Sequence, residues 1–271
     1  MNIARTLAAA GIEPREARLL LAEACGFSEA SVLAHGEREL PAEIAARFGE
    51  MAARRRAGEP IAYIVGTREF YGLPLAVGPP VLIPRPETEL LVELALERLP
   101  HSANATVIDL GTGCGAIALA IKRHRPHARV VAVEKGASTL EYAKRNAAKL
   151  GLEIEMRHGL WFEPARGERF DLVVSNPPYV ALGDPHLEQG DLRFEPRSAL
   201  VAGADGLDAI REIVRDAPAF LKAGAWVLIE HGQEQDEAVR ALLCAAGFEN
   251  VSSWPDLAGV ARATGGKLKS D

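Results

Sequence analysis

The run Asn176-Pro177-Pro178-Tyr179 sets an amide, two prolines and a phenol in immediate succession. Asn176 brings a side-chain carbonyl and Pro177 a main-chain carbonyl with φ held by its ring, so two acceptors stand side by side. Such a pair suits a planar NH2 group, and Tyr179 can lie against the flat face of that group. A nitrogen of this kind is a poor nucleophile because its lone pair is delocalised. Chemistry at it rests on orientation: the nitrogen is held in line with the bond it attacks, and the acceptors favour the charge that develops on it. Neither a general base nor a metal is required before attack, since the proton becomes acidic only as the new bond forms.

A second run, Asp109-Leu110-Gly111-Thr112-Gly113-Cys114-Gly115, follows a strand-like stretch and opens directly into Ala116-Ile117-Ala118-Leu119-Ala120. Glycines at these positions let the backbone turn tightly and approach a nucleotide-like ligand. The spacing is Gly-x-Gly-x-Gly, whereas a dinucleotide fingerprint reads Gly-x-Gly-x-x-Gly. The next strand-like run ends in Val133-Glu134, where a carboxylate can accept both hydroxyls of a ribose. Asp109 can face a cation, and S-adenosylmethionine carries an ammonium and a sulfonium but no phosphate, which favours it over a dinucleotide. Cys114 within the loop reads as a small space-filler rather than a nucleophile.

Those residues need a scaffold, and the text around them predicts one. Strand-like runs at residues 106–110, 130–133, 154–156, 170–174 and 225–229 alternate with amphipathic helical stretches such as 140–150 and 235–246. This is the pattern of an α/β, doubly wound, mostly parallel sheet. Asn176 then falls at the carboxyl end of a central strand, where ligands sit in open α/β sheets. Upstream, residues 1–60 carry Ala, Leu, Glu and Arg at helical spacing with breaks at Gly11, Gly26 and Gly36, which predicts a small helical bundle. Arg54-Arg55-Arg56 closes it as a solvated helix end rather than a partner-binding patch. Residues 61–84 turn β-branched and aromatic, as a β-hairpin linker with Gly72 near its turn, and Pro86-Glu87-Thr88-Glu89 begins a helix in a third segment, 85–271. A last strand over residues 260–266 is weak, because glycine and alanine lower β-propensity. Glu230-His231-Gly232 reads as a structural turn.

The composition bounds the partners. The 271 residues are 48% hydrophobic with a formal charge of -6, which excludes a disordered chain and argues against a sequence-blind grip on a phosphate backbone. Three scattered cysteines exclude a disulfide scaffold and zinc spacing. No run of about 18 apolar residues and no secretory pattern occurs, so a cytoplasmic protein that engages no membrane is expected.

Taken with Ile83-Pro84-Arg85-Pro86-Glu87-Thr88-Glu89, Asp184-Pro185-His186-Leu187, Arg193-Phe194-Glu195-Pro196 and Glu230-His231-Gly232, the two motifs resemble the PrmC/HemK family, the release-factor glutamine methyltransferases. The resemblance covers nearly the whole chain. It implies a class I S-adenosylmethionine-dependent methyltransferase domain of Rossmann-like fold. It also implies transfer of a methyl group to the side-chain amide nitrogen of the glutamine in the Gly-Gly-Gln motif of bacterial peptide chain release factors, with S-adenosylhomocysteine as product. On matching positions, Asp109, Gly111, Thr112, Gly113, Cys114, Gly115, Glu134 and Asn176 would bind the cofactor and Trp161 would line its adenine side. Asn176, Pro177, Pro178 and Tyr179 would hold the glutamine, and the N-terminal bundle would help dock the release factor.

Glu134 replaces the commoner Asp with one more methylene, and Leu160 stands where the family often has an acid, so adenine recognition would rest on backbone groups and stacking. Asp184-Pro185 and Glu195-Pro196 are read as shaping the loop after Tyr179. Two alternatives stand: a nucleic-acid adenine or cytosine amino-methyltransferase, which would need a basic target-recognition region that this acidic chain lacks, and a non-catalytic module binding S-adenosylmethionine or a release factor.

Overall fold

The computed structural model describes residues 1–99 and 104–270. Its contacts divide into two compact units, Met1–Thr67 with His186–Phe194, and Arg68–Pro185 with Glu195–Asp271.

The first unit is built from α1 (Ile3–Ala8), α2 (Pro14–Cys25), α3 (Glu29–Ala34), α4 (Ala42–Arg56) and α5 (Ile61–Val65). Local chemistry sets the ends. The Asn2 and Ser28 side chains accept from the main-chain N–H groups of Arg5 and Ser31, Pro14 opens α2, and Gly26 closes it at φ 68°. Ile3, Leu20, Leu21, Val32, Phe48 and Met51 form the buried core. Arg54 and Arg56 of the triplet are exposed, as a solvated helix end requires, and each of the three guanidinium groups also has a protein partner. Arg54 pairs with Glu59, Arg55 with both Glu16 and Asp191, and Arg56 donates to the Ala10 carbonyl.

These partners explain why the division departs from boundaries at residues 60/61 and 84/85. Asp191 lies far along the chain yet meets Arg55 at 3.0 Å, and Arg193 donates to the Ala57 carbonyl. Gly58 makes room for that guanidinium, since a Cβ there would lie 1.6 Å from Arg193 Nη2. The head of the expected hairpin segment is also different. Residues 61–65 are helical, because Pro60 starts a turn whose Ala62, Tyr63 and Ile64 are buried, and Gly66 stops it at φ 80°. The hairpin proper is β1 (Thr67–Phe70) and β2 (Leu73–Ala76), turned at Tyr71 and Gly72, both with positive φ.

In the second unit α6 (Glu89–Arg98) follows a 3₁₀ turn at Pro86–Thr88. Then come β3 (Thr106–Leu110), α7 (Ala116–His124), β4 (Arg129–Glu134), α8 (Ala137–Leu150), β5 (Glu155–His158), β6 (Phe170–Ser175), α9 (Asp208–Phe220), β7 (Leu221–Glu230), α10 (Asp236–Ala245), β8 (Phe248–Pro255) and β9 (Ala261–Leu268). Among the described residues seven strands form one sheet in the order β5-β4-β3-β6-β7-β9-β8, parallel from β5 to β7 and antiparallel at β9 and β8. Alternate residues of the parallel strands, such as Ile108, Leu110, Val131, Val133, Val173, Val227 and Ile229, share one core with Ile210 and Ile213 of α9 and Val239 and Leu243 of α10. Helices α6 and α7 pack together and against other faces of the sheet. Full burial of each such side chain contributes about 2 kcal/mol.

The last strand is not weak. It spans Ala261–Leu268 and sits between β7 and β8, where its glycines are required by close packing. A Cβ on Gly265 would fall 2.6 Å from both Leu228 Cδ2 and the Val227 carbonyl oxygen, and one on Gly266 would fall 2.9 Å from Phe248 Cβ. His231 is wholly buried, with its ring nitrogens at 2.9 Å from the Gly232 carbonyl and 2.8 Å from Thr264 Oγ1, which fits a turn-forming residue. No helix among the described residues is long and apolar enough to cross a membrane.

Candidate functional site

The strand order reverses between β3 and β6, and both motifs leave the sheet there. Ser175, the last residue of β6, donates through Oγ to the Leu110 carbonyl at 2.7 Å and so ties the two strand ends together. Beyond them opens a cleft of about 950 Å³ that is continuous with solvent. The switch point of an open α/β sheet is where such a cleft is expected.

The glycine loop forms one wall. Gly111, Gly113 and Gly115 have φ of 72°, 60° and 89°, the left-handed region that glycine enters at no steric cost. The main-chain N–H groups of Gly111 and Thr112 both reach the Val133 carbonyl, while Gly113 N–H donates to Glu134 Oε2 at 3.0 Å. Glu134 Oε1 accepts from Gly136 N–H at 2.8 Å. The carboxylate at the end of β4 thus clamps the turn after β3 to the turn after β4, and lines the cleft while doing so. A wholly buried Asn146 of α8 braces the loop from behind, donating to the Cys114 carbonyl and bonding both main-chain polar groups of Ala76.

Asp109 does not line this cleft. Its Oδ2 accepts from the Thr112 hydroxyl at 2.6 Å and from Ala118 N–H at 3.2 Å, and Oδ1 is buried with no hydrogen-bond partner among the described residues. The idea that it faces a cation is therefore replaced by a local task, holding the loop onto the start of α7. Burial pushes its carboxyl up to about 7, with Glu134 adding to the rise and the Thr112 and Ala118 bonds opposing it. The folded state then binds this proton more tightly than the unfolded chain. The stability Asp109 contributes is complete below its ordinary value and is lost as pH rises through about 7. Asp109→Asn should accordingly raise the melting temperature relative to wild type by several degrees at pH 8 and much less at pH 5. Equal differences at both pH values would contradict this account.

Cys114 is buried at the cleft wall, and burial pushes its thiol up to about 12, so it fills space as an uncharged group. Trp161 also lines the cleft. Its φ of 45° is unusual for a large residue, and its indole Nε1–H donates to Glu212 at 2.8 Å, which fixes the ring beside Gly111. A Cβ on Gly111 would come within 3.3 Å of that ring. Leu160 is a half-exposed part of the same wall.

Asn176 and Pro178 line the cleft, and Pro177 and Tyr179 do not. The Asn176 amide donates from Nδ2 to Thr88 Oγ1 at 3.1 Å, and no hydrogen bond to its Oδ1 occurs among the described residues. Tyr179 is turned from the position expected of it. Its hydroxyl donates to Glu230 Oε1 at 3.2 Å, and burial with the Glu230 charge raises its pKa. Its main chain is held by Gln235, whose Nε2 donates to the Tyr179 carbonyl, with Gly206 packed so closely that a Cβ there would lie 2.2 Å from that oxygen. The loop beyond Tyr179 returns across the cleft at Pro196, Ser198 and Ala199. Glu195 anchors it, buried, accepting from Arg85 Nη2 at 2.5 Å and from Ile83 N–H at 3.2 Å. Thr88, Arg85, Asn146, Gln235 and Gly206 carried no signal of this kind in the sequence, because each acts on a partner far along the chain.

The order of the sheet, its antiparallel last pair and the glycine-loop cleft define a class I S-adenosylmethionine methyltransferase fold. A methyltransferase from Pyrococcus furiosus shares it, with a TM-score of 0.57 at 18% identity over 82% of this chain and 99% of that one. The sequence also matches the PrmC N-terminal domain over residues 2–66 and the methyltransferase small domain over residues 88–189. Two relatives are named release factor glutamine methyltransferase. That of Burkholderia pseudomallei is 49% identical over 98% of this chain and 95% of its own length, and that of Pseudomonas aeruginosa is 50% identical over 93% and 91%. The chain belongs to the release factor glutamine methyltransferase family.

Proposed function

We propose that this chain transfers a methyl group from S-adenosylmethionine to the side-chain amide nitrogen of the glutamine in the Gly-Gly-Gln motif of bacterial peptide chain release factors. The observation that carries the reading is the Asn176 amide at the rim of the glycine-loop cleft. One proton of its NH2 goes to Thr88, and its carbonyl is placed to accept from a planar NH2. Near-full-length similarity to relatives bearing the release-factor name supports the choice of substrate.

The residues of the cleft fit S-adenosylmethionine. Glu134 has lone pairs beyond the two it gives to Gly113 and Gly136, and these suit a ribose diol. Gly111 and Gly113 present bare backbone, and the pinned indole of Trp161 suits an adenine face. Leu160 accepts no hydrogen bond, so adenine would be held by stacking and main-chain groups. When bound, the cofactor supplies an electrophilic methyl group on sulfur. The protein's part is to orient. Asn176 Oδ1 accepts from the glutamine NH2 and holds its nitrogen, and the same acceptor favours the positive charge that grows there. The Pro177 and Pro178 rings keep this strand end rigid, and buried Glu195 holds the returning loop through Arg85.

The helical unit of residues 1–60 would contribute to docking the release factor, and its internally paired Arg54, Arg55 and Arg56 are not free to grip a phosphate backbone. A cytoplasmic location follows from the substrate. The test is incubation with methyl-labelled S-adenosylmethionine and, in parallel, a release factor, the same factor with its Gly-Gly-Gln glutamine changed to alanine, and DNA. Label is expected on the intact factor alone. Label on DNA would move the reading to a nucleic-acid enzyme, and no label with the cofactor bound would make the chain a binding module.

A further inference from the structure

The segment that carries the Asn-Pro-Pro-Tyr run is supported differently on its two sides. Up to Ser175 it lies in the sheet, paired with Leu110 of β3 and Ile229 of β7. From Val180 onward it is laddered to the returning loop: Val180 N–H donates to the Leu200 carbonyl at 2.8 Å, and Ala202 N–H donates to the Val180 carbonyl at 3.0 Å. In between, the two prolines bring no N–H with which to fix the chain. Among the described residues, the hydrogen bond found on the main chain of 177–179 is the one that the Tyr179 carbonyl accepts from Gln235 Nε2 at 3.0 Å.

The Gln235 amide can stand in one direction only. Its Oε1 accepts from Gly232 N–H at 2.8 Å, and its Nε2 donates to the carbonyl of Asp205 at 3.2 Å as well as to that of Tyr179. All three partners are main-chain groups, whose donor or acceptor character is fixed. Turning the amide over would set its oxygen against two carbonyls and its NH2 against an N–H. Glycines make the approach possible. A Cβ on Gly206 would lie 2.2 Å from the Tyr179 carbonyl oxygen and 2.9 Å from Gln235 Nε2, and one on Gly232 would lie 3.0 Å from Gln235 Oε1.

The helix that Gln235 precedes does not account for this residue. Glutamine is not a favoured N-cap, and its side chain makes no capping bond to α10. Its main chain is anchored there instead, since its carbonyl accepts from Val239 N–H at 3.0 Å. Gln235 does not line the cleft, so whatever it does there it does through Tyr179. We propose that Gln235 is a positioning residue for methyl transfer: by tying the turn after β7 and the loop before α9 to the Tyr179 carbonyl, it sets where Pro178 and the Asn176 acceptor stand.

The inference rests on the proposed transfer to a release-factor glutamine, and its experiment separates the two. Gln235→Ala and the nearly isosteric Gln235→Glu would be assayed beside wild type for kcat at saturating cofactor and for the Kd of S-adenosylmethionine. Main-chain hydrogen exchange over residues 176–182 and over β3 would be followed by mass spectrometry. Gln235→Ala should lower kcat about tenfold, the scale of one hydrogen bond lost to the alignment of the reacting groups, with Kd within about twofold. Its exchange should rise over 176–182 and not over β3. Gln235→Glu keeps an acceptor for Gly232 N–H but sets carboxylate oxygen against two carbonyls, so its kcat should fall at least as far. A side chain that only filled space would give the reverse order. Unchanged kcat in Gln235→Ala, a glutamate variant close to wild type, cofactor affinity falling by the same factor as kcat, or exchange rising equally over β3 each overturns the inference. A wild type that labels no release factor overturns the proposed function instead, and exchange then decides the inference: equal protection of 176–182 in wild type and Gln235→Ala overturns it.

Discussion

Asn176→Ala should lower kcat by about 10² to 10³-fold while changing the Kd for S-adenosylmethionine by no more than a few fold. The asymmetry follows from the geometry. Asn176 sits at the rim of the cleft with Nδ2 donating to Thr88, and the acceptor it offers is one carbonyl oxygen. That oxygen gains most when the substrate nitrogen loses its delocalised lone pair and becomes positive, which occurs in the transition state and not in the bound cofactor. In the proposed binding mode the cofactor's contacts lie with the glycine loop, Glu134 and Trp161, which the truncation leaves in place. The measurement is steady-state methylation at saturating cofactor set against calorimetric titration of S-adenosylmethionine. Equal losses in the two would move Asn176 to the cofactor wall and remove it from substrate orientation. Asn176→Asp separates the roles further: it keeps the acceptor, but at a carboxylate that cannot donate to Thr88, so it should fall between wild type and alanine.

The parallel strands were readable in the sequence because their physics is local. Residues 106–110 and 170–174 are short, nearly continuous apolar runs, as strands covered on both faces must be. Boundaries moved by only a residue or two at Arg129–Glu134 and Glu155–His158, while the strand expected over 225–229 begins four residues earlier, at Leu221. The antiparallel pair was not readable in this way. β8 alternates Glu249, Val251, Ser253 and Pro255 with no apolar face, and its register with β9 shifts between Glu249 and Ser252. β9 reads as a poor strand because Gly265 and Gly266 are there to admit Val227, Leu228 and Phe248, a demand set by neighbours far away in sequence.

The site divides along the same line. The glycines and the Asn-Pro-Pro-Tyr run are contiguous, so their chemistry could be argued from residue types. Direction could not. The sequence placed a carboxylate at Asp109 without showing that its Oδ2 is turned back to Thr112 and Ala118, and placed a phenol at Tyr179 without showing that it is drawn to Glu230. Both depend on partners that the sheet brings together only after it has formed. Thr88, 88 residues from Asn176, is the extreme case, since a threonine inside a helix-start signal has a sufficient local explanation and gives no reason to look further. The same holds for Asp191, which the strand pattern leaves in a loop after Tyr179 and which Arg55 holds in the helical unit.

Glu134→Ala should weaken S-adenosylmethionine and S-adenosylhomocysteine by a similar factor, about 10²-fold, and leave kcat at saturating cofactor within a few fold. Two effects act in the same direction. The carboxylate is the cleft's ribose acceptor in the proposed binding mode, and a hydrogen bond to a charged group contributes about 1.5–3 kcal/mol. It also accepts from Gly113 and Gly136 at 3.0 and 2.8 Å, and without it both N–H groups lose their partner and the glycine turn loses the tether to β4. A loop that must be ordered on binding reduces affinity before any ligand contact is counted. Neither effect touches the methyl donor or the Asn176 acceptor, so chemistry in the filled site is spared. Glu134→Gln separates the two contributions: its one remaining oxygen can serve either a main-chain N–H or the diol but carries no charge, so its affinity should lie between those of wild type and alanine. Calorimetry with both ligands reads the result. A fall in kcat as large as the fall in affinity would mean that the carboxylate orients the sulfonium rather than the ribose, and an unchanged Kd would place the diol elsewhere in the cleft.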